Sequence, residues 1–503
     1  MINHRFLAAL LAASLLSSAA LAQAPAATAP HLDEATRQDV DTAAKAAVAS
    51  SGVPSASLAI VKNGALVYTQ AYGDARLDPP TPARPDMRYS IGSISKQFTA
   101  VAILMLQDEG KLSIDDKISK WLPDLTRASD ITIRQVLSHT SGYQDFWPED
   151  YVMTTMMQPA KPQHILDTWA KKPLDFEPGT QWQYSNTNYV IAGRIVEIVT
   201  KEDLFSFLQK RIFTPLYMQS VMNQDFRLLA DTDAEGYYRH ALGPLRPAPK
   251  EGFGWMFAAG ELAMTAHDLA RWDMALMDSD SRFLSPKGWH DLEEEVKLKD
   301  GKGTMYGLGV QVAHFSGQRV VFHSGEVSGF VAMNVVFPDL RGAICVLTNL
   351  DASDGASTAA RNVARIVFPM MRAAAKPEAA PVATAPAAAP GAKAAEPAED
   401  SKKVATTEQA RQIFLGLQQG KLDRTLLTQL TNDYFTQQAV DDYAQSLGPL
   451  GAPTKFAERD TELRGGMSFH VYEAEFAGGK SVTITTYIEP DGKIEQYLVA
   501  PGK

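Results

Sequence analysis

Apolar and polar positions along the chain alternate with two different periods. From 33 to 50 the apolar residues recur at helical spacing. The runs 57–62 and 65–68 are β-rich and flank Asn63-Gly64, the strongest short-range hairpin signal. A second strand group lies between Tyr306 and Leu350, in the runs 307–312, 319–323, 331–337 and 343–347. The middle, from about Ser113 to Leu276, reads mainly as helices and long loops. Phe98 to Leu106 is apolar on nearly every face and closes at Gly110. That predicts a buried central helix with the glycine as its C′ residue. Strands at both ends with helices between predict one antiparallel sheet built from both ends of a body, plus a helical insert. The fold class is therefore α+β, an α/β sandwich rather than βαβ units.

The pattern lapses between Ala373 and Asp400, where alanine dominates, prolines interrupt, and no aromatic residue occurs. Such a stretch cannot bury a core and predicts a semi-extended linker at 373–401. The tail, 402–503, has helical patterns at 406–419 and 422–431. Alternating strands follow at 469–476, 481–488 and 494–499, with turns at Gly478-Gly479 and Asp491-Gly492. It predicts a small α+β domain that is an interaction module, an intramolecular lid or a spacer, touching the body or an unknown partner. No catalytic constellation is evident in it.

The first residues change where the chain is expected to act. His4 and Arg5 precede an apolar stretch, Phe6 to Leu21, and Ala20-Leu21-Ala22 offers a small-x-small cleavage pattern. Residues 1–22 predict a signal peptide cut after Ala22, and a periplasmic or secreted protein without a membrane anchor. The stretch is too short, and too often broken by serine, for the ~20 residues of a spanning helix. A net charge of −10, from 48 Lys+Arg against 58 Asp+Glu, argues against nucleic acid as a partner. The single Cys345 excludes an internal disulfide and a thiolate metal cluster. It reads as a small buried hydrophobe in a strand.

Three short elements carry the chemistry. Ser93-Ile-Ser-Lys96 opens the apolar helix, so Lys96 lies one turn from Ser93 on the same face. A desolvated lysine can serve as, or assist, the base that a serine nucleophile needs. Tyr184-Ser-Asn186 follows the loop Glu177-Pro-Gly179 and precedes an amphipathic helix, and His323-Ser-Gly325 ends a strand. Taken singly, Tyr184 reads as a packed aromatic and His323 as a satisfied strand-end histidine. Neither Gly-x-Ser-x-Gly nor His-Glu-x-x-His occurs, which leaves the α/β-hydrolase and zincin readings unsupported.

In this order the three elements resemble those of the serine β-lactamase and penicillin-binding peptidase superfamily, in its class C β-lactamase-like branch. The flanking runs 89–98, 109–116, 137–142, 176–179 and 259–271 extend the resemblance across most of 31–372. It implies a sheet flanked by helices with an all-helical subdomain (β-lactamase/transpeptidase-like). It implies Ser93 as the acylated nucleophile, Lys96 as the lysine that holds or takes its proton, and Tyr184 as a general base. Asn186 would orient the lysine and the substrate, and the amides of Ser93 and Glu326 would form the oxyanion hole. His323 and Gly325 would border the substrate. No metal and no organic cofactor are implied. The departure is His323-Ser-Gly-Glu326 where β-lactamases of this branch carry Lys-Thr-Gly. That weakens the case for an anionic antibiotic and implies an esterase or D-aminopeptidase-like hydrolase of small molecules or short peptides. The alternatives are a β-lactamase, or a penicillin- or cell-wall-ligand-binding protein that is acylated without turnover. Whether Tyr184 or Lys96 is the base stays open at this level.

Overall fold

The computed structural model describes residues 30–372 and 397–502, with side chains from 405 onward in the second stretch. The signal peptide expected at 1–22 and most of the linker expected at 373–401 lie outside the described residues.

Helix α1, Glu34–Ser51, starts where Asp33 accepts a hydrogen bond from the Thr36 amide at 2.9 Å. Seven strands form the main sheet: β1 (Ser55–Lys62), β2 (Ala65–Leu77), β3 (Pro80–Pro82), β4 (Gln311–Phe315), β5 (Gln318–Val327), β6 (Phe330–Phe337) and β7 (Gly342–Thr348). Their antiparallel order is β3-β2-β1-β7-β6-β5-β4. The two ends of the body meet at the β1–β7 ladder, where Ala59 pairs with Cys345. Period-two alternation then sorts the side chains. Leu58, Ile60, Ile344 and Val346 pack on α1 and the helix Gly355–Val367. Ala59, Val61, Cys345 and Leu347 face the larger core on the other side.

The middle of that larger core is α2, Ser95–Asp108, buried continuously from Ser95 to Leu106. It ends as its sequence predicts. The Gly110 amide donates to the Gln107 carbonyl and the Lys111 amide to the Leu106 carbonyl, a Schellman arrangement with Gly110 at φ +70°. One strand reading needs correction. The run 307–312 is not a strand, because β4 begins only at Gln311. Gly307 and Gly309 pass too close to the Leu292 and Lys96 carbonyls for a regular ladder; an added Cβ would sit 2.3 and 2.9 Å from them.

The C-terminal part has its own four-stranded sheet, in sequential order: β8 (Lys455–Arg464), β9 (Met467–Glu475), β10 (Ser481–Ile488) and β11 (Ile494–Pro501). It has its own apolar cluster, including Phe414, Tyr443, Ile484 and Tyr497. Strand β8 escaped the sequence pattern because its charged residues spoil the alternation. The helix expected at 422–431 is divided into a 3₁₀ turn, Arg424–Leu426, and a helix, Gln429–Tyr434. Asp423 and Thr428 each cap a new start there. A further helix, Gln437–Leu447, went unread, and the helix Pro397–Gln418 begins inside the stretch expected to be linker. No helix among the described residues is long and apolar enough to cross a membrane.

Two close approaches fix β5 against the chain that enters α2. A Cβ on Gly325 would lie 1.8 Å from the Ile91 carbonyl oxygen and 3.2 Å from the Ser93 amide nitrogen. A Cβ on Gly92 would lie 2.7 Å from the Glu326 amide nitrogen. Only bare backbone fits on either side. We expect Gly325→Ala to force the strand away from the turn, costing about 1–3 kcal/mol as other overpacked sites do. Urea unfolding should show the loss, and an unchanged midpoint would mean that the contact is softer than it is drawn.

Candidate active site

Ser93 sits in a 3₁₀ turn, Gly92–Ile94, that runs directly into α2. Lys96 follows in the first turn of α2 and has no exposed surface. A buried ammonium must spend every proton on an acceptor. The three acceptors are the Ser93 Oγ at 2.8 Å, the Asn186 Oδ1 at 2.8 Å and the Ala259 carbonyl at 2.9 Å. They come from three separate parts of the chain. The short helix Phe257–Gly260 presents the carbonyl, and a small sheet joining Tyr89–Ser90 to Leu262–Met264 holds that helix beside Ser93.

Burial lowers the Lys96 pKa to about 7, with the Asp145 charge opposing the shift and the Arg464 charge adding to it. The same three acceptors suit the neutral amine. Its two N–H groups satisfy Asn186 and Ala259, and its lone pair is left facing the Ser93 hydroxyl.

Asn186 begins the helix Asn186–Thr200 and is itself held. Its amide nitrogen donates to the Asp145 Oδ1 at 2.8 Å, and its Nδ2 reaches the other Asp145 oxygen at 3.4 Å. Asp145 is buried and pairs with Arg464 Nη2 at 2.9 Å. Tyr184 lies under the Lys96 ammonium, 4.9 Å from nitrogen to ring centroid. Burial raises its phenol well above the usual value, while the nearby Ser93 hydroxyl favours the phenolate. Its ring lies 4.3 Å from the buried His139 imidazole, tilted by 33°, and the His139 Nδ1 accepts the Ser185 amide.

His323 is buried at the end of β5 and makes two hydrogen bonds. Its Nδ1 donates to the Ser324 carbonyl, so its Nε2 accepts from the Tyr306 hydroxyl at 2.8 Å. Burial pulls its pKa down to about 3, so it is neutral at physiological pH. The backbone packing of Gly325 and Gly92 brings the amides of Ser93 and Glu326 to the same edge of the cavity. Such a pair of donors beside a nucleophile suits a developing oxyanion. The Glu326 carboxylate accepts the Ala352 amide at 2.7 Å.

The cavity above Ser93 is lined by Tyr184, Asn186, His323 and Glu326, and by Glu149, Asp150 and Asp351. Burial pushes Glu149 up to about 8, and Asp351 also stands well above the ordinary carboxyl value. Among the described lining residues Arg464 is the cation, and Asp145 already holds it.

Of the residues drawn from sequence, Ser93, Tyr184, Asn186, His323 and Glu326 line one cavity, while Lys96 lies behind it, bonded to Ser93 and Asn186, and Gly325 packs against the Ile91 carbonyl. Sequence reasoning missed Asp145, the Ala259 carbonyl, Tyr306, His139 and Arg464. Asp145 and His139 lie in and just beyond the 137–142 run, which is a usable signal. Arg464 comes from the tail, where no catalytic constellation was evident in sequence, and lines the cavity from the end of β8.

The chain matches the family described as Beta-lactamase over residues 40–368. It is 27% identical over 328 residues to protein flp of Staphylococcus aureus, covering 64% of this chain. The chain spans about 65% of that relative's length. Among solved structures, a D-stereospecific amidohydrolase from Streptomyces sp. is 27% identical, with a TM-score of 0.58 over 66% of this chain and 98% of its own. The octameric penicillin-binding protein homologue from Pyrococcus abyssi is 19% identical and shares the fold. Its TM-score is 0.60, over 92% of this chain and 99% of its own.

The His323–Tyr306 pair allows a test separate from the nucleophile. Tyr306→Phe should leave a buried imidazole acceptor unsatisfied and cost about 1–3 kcal/mol. The measurement is chemical denaturation, and a change below about 0.3 kcal/mol would show that the bond contributes nothing net.

Proposed function

The chain belongs to the beta-lactamase family, and on that premise we propose that it is a periplasmic or secreted serine hydrolase cleaving an ester or amide through an acyl-enzyme on Ser93. The observation that carries this reading is the buried Lys96, poised near neutrality with its lone pair left for Ser93.

The chemistry then runs as follows. Neutral Lys96 takes the Ser93 hydroxyl proton as Oγ bonds to the substrate carbonyl carbon. The carbonyl oxygen gains the charge and rests against the amides of Ser93 and Glu326. Tyr184, whose raised pKa keeps it protonated, gives its proton to the departing amine or alkoxide as the scissile bond breaks. The proton on Lys96 replaces the one Tyr184 lost. Water attacks the acyl-enzyme with Lys96 again as base; the acid leaves, and Ser93 regains its proton. Lys96 is therefore assigned as the base and Tyr184 as the acid.

The cavity supports a neutral or cationic substrate. Four carboxyl groups, Glu149, Asp150, Glu326 and Asp351, line it, and its cation is already paired. A carboxyl group with a raised pKa ionises more readily when an ammonium arrives beside it. Short esters and amides with a free amino group, as in a D-amino-acid amide, fit this lining better than a β-lactam carboxylate. The amidohydrolase likeness points the same way.

We expect Ser93→Ala to stay folded and retain less than about 1% of wild-type hydrolysis of p-nitrophenyl acetate. More activity than that would remove Ser93 from the nucleophile role. Because the base must be unprotonated, kcat/KM should rise through a midpoint near pH 7, the Lys96 value, and level off above it. A profile flat from pH 6 to 9 would exclude Lys96 as the base. Short esters or D-amino-acid amides should exceed a chromogenic cephalosporin in kcat/KM. A tenfold preference for the cephalosporin would turn the reading to a β-lactamase.

A further inference from the structure

The C-terminal sheet hydrogen-bonds the cavity lining from β11 and reaches the cavity through the β8–β9 hairpin. Its tip is Arg464-Gly465-Gly466-Met467, with both glycines at positive φ. The tip is wedged into the body. A Cβ on Gly465 would lie 3.1 Å from Pro148 Cγ, and one on Gly466 would lie 3.3 Å from Gln144 Nε2. Beside it, Gln183 Nε2 donates to the Leu463 carbonyl at 2.5 Å. From β11, Gln496 exchanges two hydrogen bonds with Asp150, at 2.6 and 2.9 Å. The hairpin therefore delivers Arg464 to a fixed place.

We propose that Arg464 is a positioning residue of the acylation site: it balances the buried Asp145 carboxylate, and so holds the Asp145–Asn186–Lys96 relay in the geometry and charge state from which Ser93 is activated. This rests on the hydrolase reading above and assigns the C-terminal domain a part in it. The argument is one of charge balance. The relay runs from Arg464 Nη2 to Asp145 (2.9 Å), from the Asn186 amide to Asp145 (2.8 Å), and from Lys96 Nζ to Asn186 Oδ1 (2.8 Å). Asp145 has no exposed side-chain surface, and Arg464 has 8%. With the guanidinium present, the carboxylate has its cation and Lys96 is free to be neutral. With the guanidinium gone, Lys96 becomes the nearest cation for a buried carboxylate, and a lysine that must stay charged cannot take a proton from Ser93.

The other groups around the relay do not substitute for Arg464. Facing Lys96 are the phenols Tyr184 and Tyr189 and the imidazoles His139 and His323, both driven toward neutrality by burial. Facing Arg464 are the Tyr487 hydroxyl, which accepts from Nη1 at 3.2 Å, and the acidic Glu149 and Asp150. Glu326 stands across the cavity. Each of these is neutral or acidic, so none supplies the missing positive charge. The shift they leave in place agrees in sign: Arg464 lowers and Asp145 raises the Lys96 value.

The test uses the full chain labelled with 13C at lysine Cε, with the Lys96 resonance assigned through Lys96→Arg. The Lys96 titration midpoint is read in wild type, Arg464→Gln, Arg464→Lys and Asp145→Asn. Arg464→Gln should raise the midpoint by about one pH unit, Asp145→Asn should lower it, and Arg464→Lys should stay near wild type. At pH 7 the first variant should lose roughly fivefold in kcat/KM and recover it at higher pH, a pattern that simple loosening of the fold would not give. If Arg464→Gln does not fold, Arg464→Lys and Asp145→Asn decide together: the first must keep the midpoint near wild type and the second must lower it. A midpoint unmoved in folded variants, or Arg464→Lys shifting as far as Arg464→Gln, would overturn the proposal. Acylation of wild-type Ser93 by p-nitrophenyl acetate, followed by intact mass, decides the hydrolase reading separately.

Discussion

A lysine side chain with no exposure to water sets the terms for this site. A buried, unpaired ammonium costs several kcal/mol, so the fold must meet Lys96 with acceptors on every side. It does so with a hydroxyl from the turn before α2, a side-chain amide from the start of Asn186–Thr200 and a carbonyl from Phe257–Gly260. The same burial also changes the proton affinity of the lysine. Burial brings its pKa to about 7, and two fixed acceptors consume the N–H groups of the free amine, directing its lone pair at Ser93.

The sheet's contribution is distance. Strand β5 and the Gly92–Ile94 turn approach until only glycine fits at 92 and 325, which places the Ser93 and Glu326 amides side by side. His323 is turned inward to Tyr306 and kept neutral by burial. Among the described lining residues the cation is Arg464, at the end of a strand of the other sheet, where it pairs with Asp145. Four carboxyl groups, Glu149, Asp150, Glu326 and Asp351, share that lining with it.

Local pattern made much of this legible. The all-round apolar run from Phe98 to Leu106 could only be a buried helix, and Gly110 ended it with the hydrogen bonds its position predicted. The order Ser93/Lys96, Tyr184/Asn186, His323/Gly325 named residues that line the cavity or pack directly behind it. Readings failed where tertiary contact overrode local preference, as at Gly307 and Gly309. They also failed where polar residues masked a strand, as at β8.

Sequence alone therefore determined the fold class and the central helix and named candidate residues for the site, because each depends on neighbours within a few residues or on a motif in fixed order. Only the tertiary structure decided what each group faces. Periodicity shows that a face is buried without saying what covers it, and nothing near Arg464 in the chain points to Asp145, 319 residues away. Whether Lys96 or Tyr184 is the better base was undecided for the same reason: the pKa of a buried group is set by the charges and acceptors packed around it, and those arrive from every part of the fold.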